Sequence, residues 1–169
     1  YLIEGGHPLR GRLRPSGNKN AALPCLAATL LTGEPVTLRN VPEIEDVQVM
    51  MEILRQLGSR VERVGDHAWR LQSGEPAPCA VPAELARQVR ASILLAGPLL
   101  ARCGRVTLPP PGGDVIGRRR LDTHFLALKE LGARVEIDGL ISLQANKLVG
   151  ADLFLDEASV TATENAIMA

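Results

Sequence analysis

One pattern of a strand, a helix and two further strands occurs twice along the chain. In each copy a short β-branched segment precedes a segment with helix-spaced apolar residues that ends in Leu-Gly, and two alternating segments follow. The first copy comprises residues 36–38, 47–57, 60–62 and 68–72, and the second comprises 106–108, 121–131, 134–136 and 140–144. Since repeated units bury their apolar faces against one another, this pattern predicts a repeat-built domain of mixed helix and sheet.

The second copy carries an insertion. Val106 lies 70 residues after Val36, but Gly132 lies 74 residues after Gly58, so four extra residues fall in the loop before the second helix. This loop, residues 111–120, joins a glycine turn, a lone acid and three consecutive arginines. Glycine lets a backbone approach a ligand closely and arginine binds phosphate oxygens, so the loop suits chemistry on a phosphorylated substrate.

Apolar periodicity predicts which helices are enclosed. The helices of the two copies each have one apolar stripe, whereas residues 20–31 and 85–100 are apolar nearly all round and are expected to form central helices. The predicted unit is β-α-β-α-β-β. Residues 151–156 and the helix that follows them would begin a third copy, and three units around a common helical core make a closed α+β domain.

Composition excludes several classes of function. The 169 residues are 46% hydrophobic, and 19 basic residues balance 19 acidic ones, so the overall charge favours neither nucleic acid nor a membrane surface as a partner. The sequence has no membrane-length apolar run and no signal peptide, which predicts a cytoplasmic protein. Both ends look cut, which suggests a piece of a longer chain.

The cysteines and histidines lack metal-ligand spacing, so no metal site is expected. Cys25, Cys79 and Cys103 are odd in number and are each expected to be a small buried hydrophobe rather than part of a disulfide. His124 is expected either to orient a site or to lie on the surface.

Several motifs together carry a family resemblance. They are Ser16-Gly17-Asn18-Lys19-Asn20-Ala21-Ala22-Leu23-Pro24, Asn40-Val41-Pro42 with Asp46, Val89-Arg90-Ala91-Ser92, the Pro-Gly-Gly-x-x-Ile-Gly turn, Arg119 with Asp122 and His124, and Ser159-Val160. In this order the chain resembles the N-terminal portion of the UDP-N-acetylglucosamine 1-carboxyvinyltransferase family of enolpyruvyl transferases. The match runs from about residue 4 to residue 169.

The resemblance implies a reaction and a fold. The family transfers the enolpyruvyl group of phosphoenolpyruvate to the 3′-hydroxyl of UDP-N-acetylglucosamine and releases phosphate, which opens peptidoglycan precursor synthesis, without a metal or organic cofactor. Its fold has two similar domains, each an inside-out α/β barrel of three β-α-β-α-β-β units. Residues 19–169 would be most of one domain, and residues 1–18 would pair with the second domain, in the remaining part of the enzyme.

The resemblance also assigns residues. Lys19 and Asn20 would meet phosphoenolpyruvate and the sugar. Lys19 would also be catalytic, as a point charge for phosphate beside free N–H groups at a helix start. Contacts to UDP-N-acetylglucosamine would come from Arg90, Arg119, Arg120, Leu121, Asp122, Thr123, Glu157, Ala158, Ser159 and Val160. Without the resemblance, a lysine before a helix is more often solvated, a helix arginine forms a surface ion pair, and Ser159 is an ordinary helix cap.

Asp114 departs from the commonest family pattern, which has cysteine as the proton donor to phosphoenolpyruvate. Some family members carry aspartate, so Asp114 is the expected donor, although an acid in a glycine turn often forms only a local hydrogen bond. A thiol is mostly protonated at neutral pH and a carboxyl is not, so activity is expected to fall at a lower pH than with cysteine. Because a carboxylate is a poorer nucleophile than a thiolate, resistance to the epoxide fosfomycin is expected.

Three alternatives stay open. The first is the related 3-phosphoshikimate 1-carboxyvinyltransferase, in which the lysine usually lies in a Gly-x-Lys-Ser setting, whereas this chain has Lys19-Asn20. The second is a non-catalytic module that binds a sugar nucleotide. The third is that this part of the enzyme folds but is inactive alone, because the family's remaining site residues lie outside it.

Overall fold

The computed structural model describes residues 1–75, 79–113 and 120–169. Its α-helices are α1 (Lys19–Ala28), α2 (Glu45–Gln56), α3 (Ala83–Ala86), α4 (Ala96–Cys103), α5 (Asp122–Glu130) and α6 (Val160–Met168). Its strands are β1 (Val36–Leu38), β2 (Ser59–Gly65), β3 (Ala68–Ser73), β4 (Arg105–Leu108), β5 (Arg134–Asp138) and β6 (Leu140–Gln144). Two 3₁₀ helices cover Thr29–Leu31 and Arg90–Leu95. The predicted mixture of helix and sheet is confirmed.

The two copies of the repeat form two antiparallel sheets of the same topology. The orders are β1-β3-β2 and β4-β6-β5, with Val36 opposite Leu71 and Val106 opposite Leu143. Residues 39–44 separate β1 from α2, and the longer stretch 109–121 separates β4 from α5. The repeat and the position of its insertion are therefore as predicted.

The full order of the predicted unit is present in the second copy only. There Ala80 forms a parallel bridge with Thr107, so a minimal strand precedes α3 and α4, and β4, α5, β5 and β6 follow. The first copy begins with α1, because residues 1–18 form no regular secondary structure. Residues 151–156 also form no strand, contrary to prediction, and Phe154 remains 88% exposed. A strand needs a neighbour to pair with, and the described residues offer none at this position.

Burial follows the predicted stripes in α2 and α5. Met50 and Leu54 are fully buried, as is Leu128. The prediction of one helix over residues 85–100 is wrong, because Val89 is extended (φ −134°, ψ 126°) and separates α3 from the 3₁₀ helix. The predicted enclosure of this segment is correct nonetheless, since every residue from 91 to 100 is buried. Apolar periodicity thus predicted that the segment is buried but did not predict that its helix is interrupted at Val89.

The cysteine prediction is wrong. Cys79 and Cys103 form a disulfide, and Cys25 is a free, exposed thiol on α1. The N–H of Thr107 donates to the carbonyl of Cys79 (3.1 Å), and this backbone pairing brings Cys79 beside the end of α4. The two cysteines are 24 residues apart and have no motif spacing, so only the tertiary pairing reveals the bond.

Neither a membrane span nor a metal cluster is found where the structure is described. None of the helices in that part of the chain has the length and apolar character needed to cross a bilayer. The same residues contain no group of three or more histidine, cysteine, aspartate or glutamate side chains arranged to hold a metal ion.

Candidate functional site

A cavity of about 520 Å³ lies between α1, the start of α2, the second 3₁₀ helix and α6. Its lining consists of Lys19, Asn20, Leu23, Pro24, Asp46, Arg90, Ala91, Leu94, Val160, Thr161 and Glu164. Four residues assigned from the resemblance, Lys19, Asn20, Arg90 and Val160, therefore meet at one place although they come from three separate elements. A lining that contains the cations Lys19 and Arg90 together with leucine side chains suits an anionic ligand with an apolar body.

A close backbone contact positions Lys19. A Cβ atom on Gly17 would lie 1.7 Å from the carbonyl oxygen of Asn40, so only glycine fits there. Asn40 has a positive φ of 57°, a conformation that asparagine tolerates better than most residues. Two of the sequence motifs therefore pack against each other and direct the chain into α1, which begins at Lys19.

The N-terminus of α1 is already capped. The Asn18 side-chain oxygen accepts from the N–H groups of Asn20 (2.7 Å) and Ala21 (3.2 Å). The backbone carbonyl of Asn18 accepts from the N–H of Ala22. The expectation that these N–H groups are free for an anion is wrong for all three. The groups at this end of the cavity that could hold an anion are therefore side chains, and Lys19 is the cation among them that lies on α1.

Lys19 forms an ion pair with Asp46. Its Nζ lies 2.8 Å from Oδ2 of Asp46, and the two side chains are 48% and 35% exposed. An ion pair this exposed contributes little to stability, so a phosphate group can replace the carboxylate at small cost. Asp46 belongs to one of the motifs, but sequence reasoning gave it no role.

A buried hydrogen-bond network holds α6 against the second 3₁₀ helix, α4 and α5. The Oδ1 atom of Asn165 accepts from the N–H of Gly97 (2.8 Å), and its Nδ2 donates to the carbonyl of Ile93 (2.8 Å) and to Nδ1 of His124 (2.9 Å). The two backbone partners determine the orientation of the amide, so Nδ1 of His124 must accept. Nε2 then carries the proton and donates to Oγ1 of Thr161 (3.2 Å), which lines the cavity.

His124 is buried and neutral. It is 3% exposed, which excludes the surface alternative. Burial, with a smaller contribution from the positive charge of Arg90, lowers the pKa of His124 to about 4. At neutral pH the imidazole therefore positions Thr161 and is a poor candidate for a general base.

The remaining assigned residues of the described chain lie outside the lining of the cavity. Arg120 forms an ion pair with Asp122 at the start of α5, and Thr123 is buried. The oxygen Oγ of Ser159 accepts from the N–H of Ala162 (3.3 Å), so Ser159 is the N-cap of α6. The other three are Leu121, which is partly buried, and Glu157 and Ala158, which are exposed. Asp114 and Arg119 fall outside the described residues.

The glycine turn before Asp114 contacts the protein's own backbone. A Cβ on Gly112 would lie 1.6 Å from the carbonyl oxygen of Arg87, and one on Gly113 would lie 2.9 Å from the nitrogen of Arg90. The N–H groups of Gly112 and Gly113 donate to the carbonyls of Ala86 and Arg87, each at 3.1 Å. The sequence predicted that these glycines admit a ligand. The contacts observed at residues 112 and 113 are with the backbone of Ala86, Arg87 and Arg90.

Comparison with known proteins identifies the family. The family model described as EPSP synthase (3-phosphoshikimate 1-carboxyvinyltransferase) matches residues 3–169. The chain belongs to this family. Among curated members it is 64% identical to the UDP-N-acetylglucosamine 1-carboxyvinyltransferase of Treponema pallidum and 61% identical to that of Treponema denticola, over its whole length. These matches confirm the resemblance. The chain spans 40% of the length of either relative.

Solved structures of enolpyruvyl transferases share the fold. The enolpyruvyl transferase NikO from Streptomyces tendae superimposes with a TM-score of 0.78 at 24% identity, covering 97% of this chain and 39% of NikO. EPSP synthase from Acinetobacter baumannii gives 0.72 at 17% identity, covering 94% of this chain and 37% of its own. The architecture is therefore that of part of an enolpyruvyl transferase.

Proposed function

We propose that the protein containing this chain transfers the enolpyruvyl group of phosphoenolpyruvate to the 3′-hydroxyl of UDP-N-acetylglucosamine and releases phosphate, the first committed step of peptidoglycan precursor synthesis. The observation that carries the proposal is the cavity in which Lys19, Asn20 and Arg90 meet. The names of the two Treponema relatives support this substrate pair over shikimate 3-phosphate.

The proposed roles follow from charge and geometry. Lys19 exchanges Asp46 for the phosphate of phosphoenolpyruvate, and Asn20 offers an amide beside it. Arg90 and Arg119 contact the anionic sugar nucleotide, and the segments 120–123 and 157–160 provide further contacts to it. Asp114 protonates the methylene carbon of phosphoenolpyruvate. The reaction needs no metal or organic cofactor in this scheme.

The proposed domain arrangement places residues 19–169 in most of one inside-out α/β barrel. Residues 1–18 pair with the second domain, which the remainder of the enzyme supplies. The exposure of Ile3, Leu9 and Leu13, each above 85%, supports this arrangement, because apolar side chains so exposed favour a further partner. The proposed compartment is the cytoplasm.

The test uses the full-length protein with both substrates and measures released phosphate and the enolpyruvyl product. Lys19→Ala and Asp114→Ala are expected to lower kcat/KM by at least about a hundredfold each, since each removes a group that acts on the transition state. Lys147→Ala, at an exposed lysine outside the cavity, is the matched control and should retain activity.

Three results would contradict the proposal. Activity that survives both substitutions would remove the assigned site. Turnover with shikimate 3-phosphate in place of UDP-N-acetylglucosamine would favour the related transferase, and sugar-nucleotide binding without turnover would favour a binding module.

A further inference from the structure

Glu164 brings a second carboxylate, besides that of Asp46, to the cavity. It lies on α6 and lines the cavity together with Lys19 and Arg90. Within the described ranges no hydrogen-bond or salt-bridge partner is found for its carboxylate. Partial burial raises the pKa of Glu164, which reflects incomplete hydration of the charge. A carboxylate without a protein partner can accept a hydrogen bond from a ligand that enters the cavity.

The position of Glu164 is well determined by its neighbours. Asn165, the next residue, is fully buried and bonded to Gly97, Ile93 and His124. Thr161, one helical turn earlier, is held by His124 and faces the same cavity. Because α6 is anchored on both sides of Glu164, its carboxylate is presented from a rigid support.

The charge of Glu164 limits what it can bind. A carboxylate accepts hydrogen bonds and repels phosphate oxygens. Ionised phosphoenolpyruvate offers no hydrogen-bond donor, whereas a sugar nucleotide offers hydroxyl groups and N–H groups on its acetamide and base. The acid is therefore complementary to only one of the two substrates.

We propose that Glu164 is a specificity residue, whose carboxylate accepts a hydrogen bond from a hydroxyl or N–H donor of the sugar-nucleotide substrate. Lys19 and Arg90 attract both anionic substrates, and Glu164 distinguishes the substrate that carries donors from the one that does not. The inference rests on the proposed function and deepens it.

The experiment compares Glu164→Leu and Glu164→Gln in the full-length protein, with Glu130→Gln as a matched control. Glu130 is an exposed acid at the end of α5, outside the cavity. A hydrogen bond to a charged acceptor corresponds to a change of about tenfold to a hundredfold in affinity. Glu164→Leu is thus expected to weaken the Kd for UDP-N-acetylglucosamine, measured by calorimetry, by at least tenfold. The KM for phosphoenolpyruvate should change less than about twofold. Glu164→Gln keeps one acceptor oxygen and should fall between Glu164→Leu and the unaltered protein.

The outcomes separate this inference from the proposed function. An active wild type whose Kd for the sugar nucleotide is unchanged in Glu164→Leu overturns the inference alone. Equal losses for both substrates also overturn it, because they indicate a general disturbance of the cavity. A wild type that neither turns over nor binds UDP-N-acetylglucosamine overturns the proposed function and the inference together. Circular dichroism spectra that superimpose establish that the variants are folded.

Discussion

Acidification should destabilise the chain through His124. Its pKa is about 4 in the folded protein and 6.5 when unperturbed. Between these two pH values the unfolded chain binds a proton at this residue and the folded chain does not. The contribution of neutral, buried His124 to the free energy of unfolding is therefore complete above pH 6.5 and is lost as the pH falls toward 4. The loss amounts to about 2 kcal/mol at pH 5 and about 3 kcal/mol at pH 4.

The structural reason lies in the network around the imidazole. A second proton on His124 would have to occupy Nδ1, where the Nδ2 group of Asn165 already donates. The protonated ring would also be a charge at a site that is 3% exposed and near the guanidinium of Arg90. Protonation in the folded state therefore loses a hydrogen bond and creates a poorly solvated charge.

Urea unfolding across the range from about pH 7.5 to pH 5 measures the effect. The wild type should lose about 2 kcal/mol more free energy of unfolding over this range than His124→Gln, in which the titrating group is absent. His7→Gln, at an exposed histidine near the N-terminus, is the matched control and should follow the wild type. Because the comparison uses slopes, a lower starting stability of His124→Gln does not affect it. Parallel pH profiles for the wild type and His124→Gln would refute the reasoning.

Three further predictions follow from the loops and cysteines. Gly112→Ala should lower the free energy of unfolding by about 2–4 kcal/mol, because a Cβ would separate the turn from its backbone partners. Gly150→Ala, at a position with open space around it, should leave the free energy of unfolding unchanged. Equal effects of the two substitutions would contradict the proposed attachment of the loop. Thiol titration of the unfolded, non-reduced chain should find one free thiol, and three free thiols would show that the bond between Cys79 and Cys103 is not formed. Reduction of this bond should lower the free energy of unfolding by about 3 kcal/mol. In the full-length protein, activity should fall at a lower pH than in Asp114→Cys, and it should survive treatment with fosfomycin. Identical pH profiles, or rapid inactivation of the unaltered protein by fosfomycin, would exclude Asp114 as the acid.

Much of the fold was predictable because its signals are local. The stripes that contain Met50 and Leu128 encode two helices, and the longer loop of the second copy is visible from a count of residues between Val106 and Gly132. The break at Val89 was not predictable, since the same apolar residues suit one buried helix or several short ones.

The candidate site was predictable in part. Motifs pointed to Lys19, Asn20, Arg90 and Val160, and these residues share the cavity. No sequence signal assigned a role to Glu164, since nothing in its spacing shows that it shares the cavity with Lys19.

The sequence by itself determined the repeat, the helical stripes, the inserted loop and the family, because these depend on residue order and spacing. Only the tertiary structure decided which distant groups meet: Cys79 with Cys103, Lys19 with Asp46, and Asn165 with His124. It also showed that Gly112 contacts the backbone of Arg87. These pairings form because packed helices and strands bring together residues that are far apart in the chain. The spacing of residues along one sequence does not indicate how far apart they lie in space.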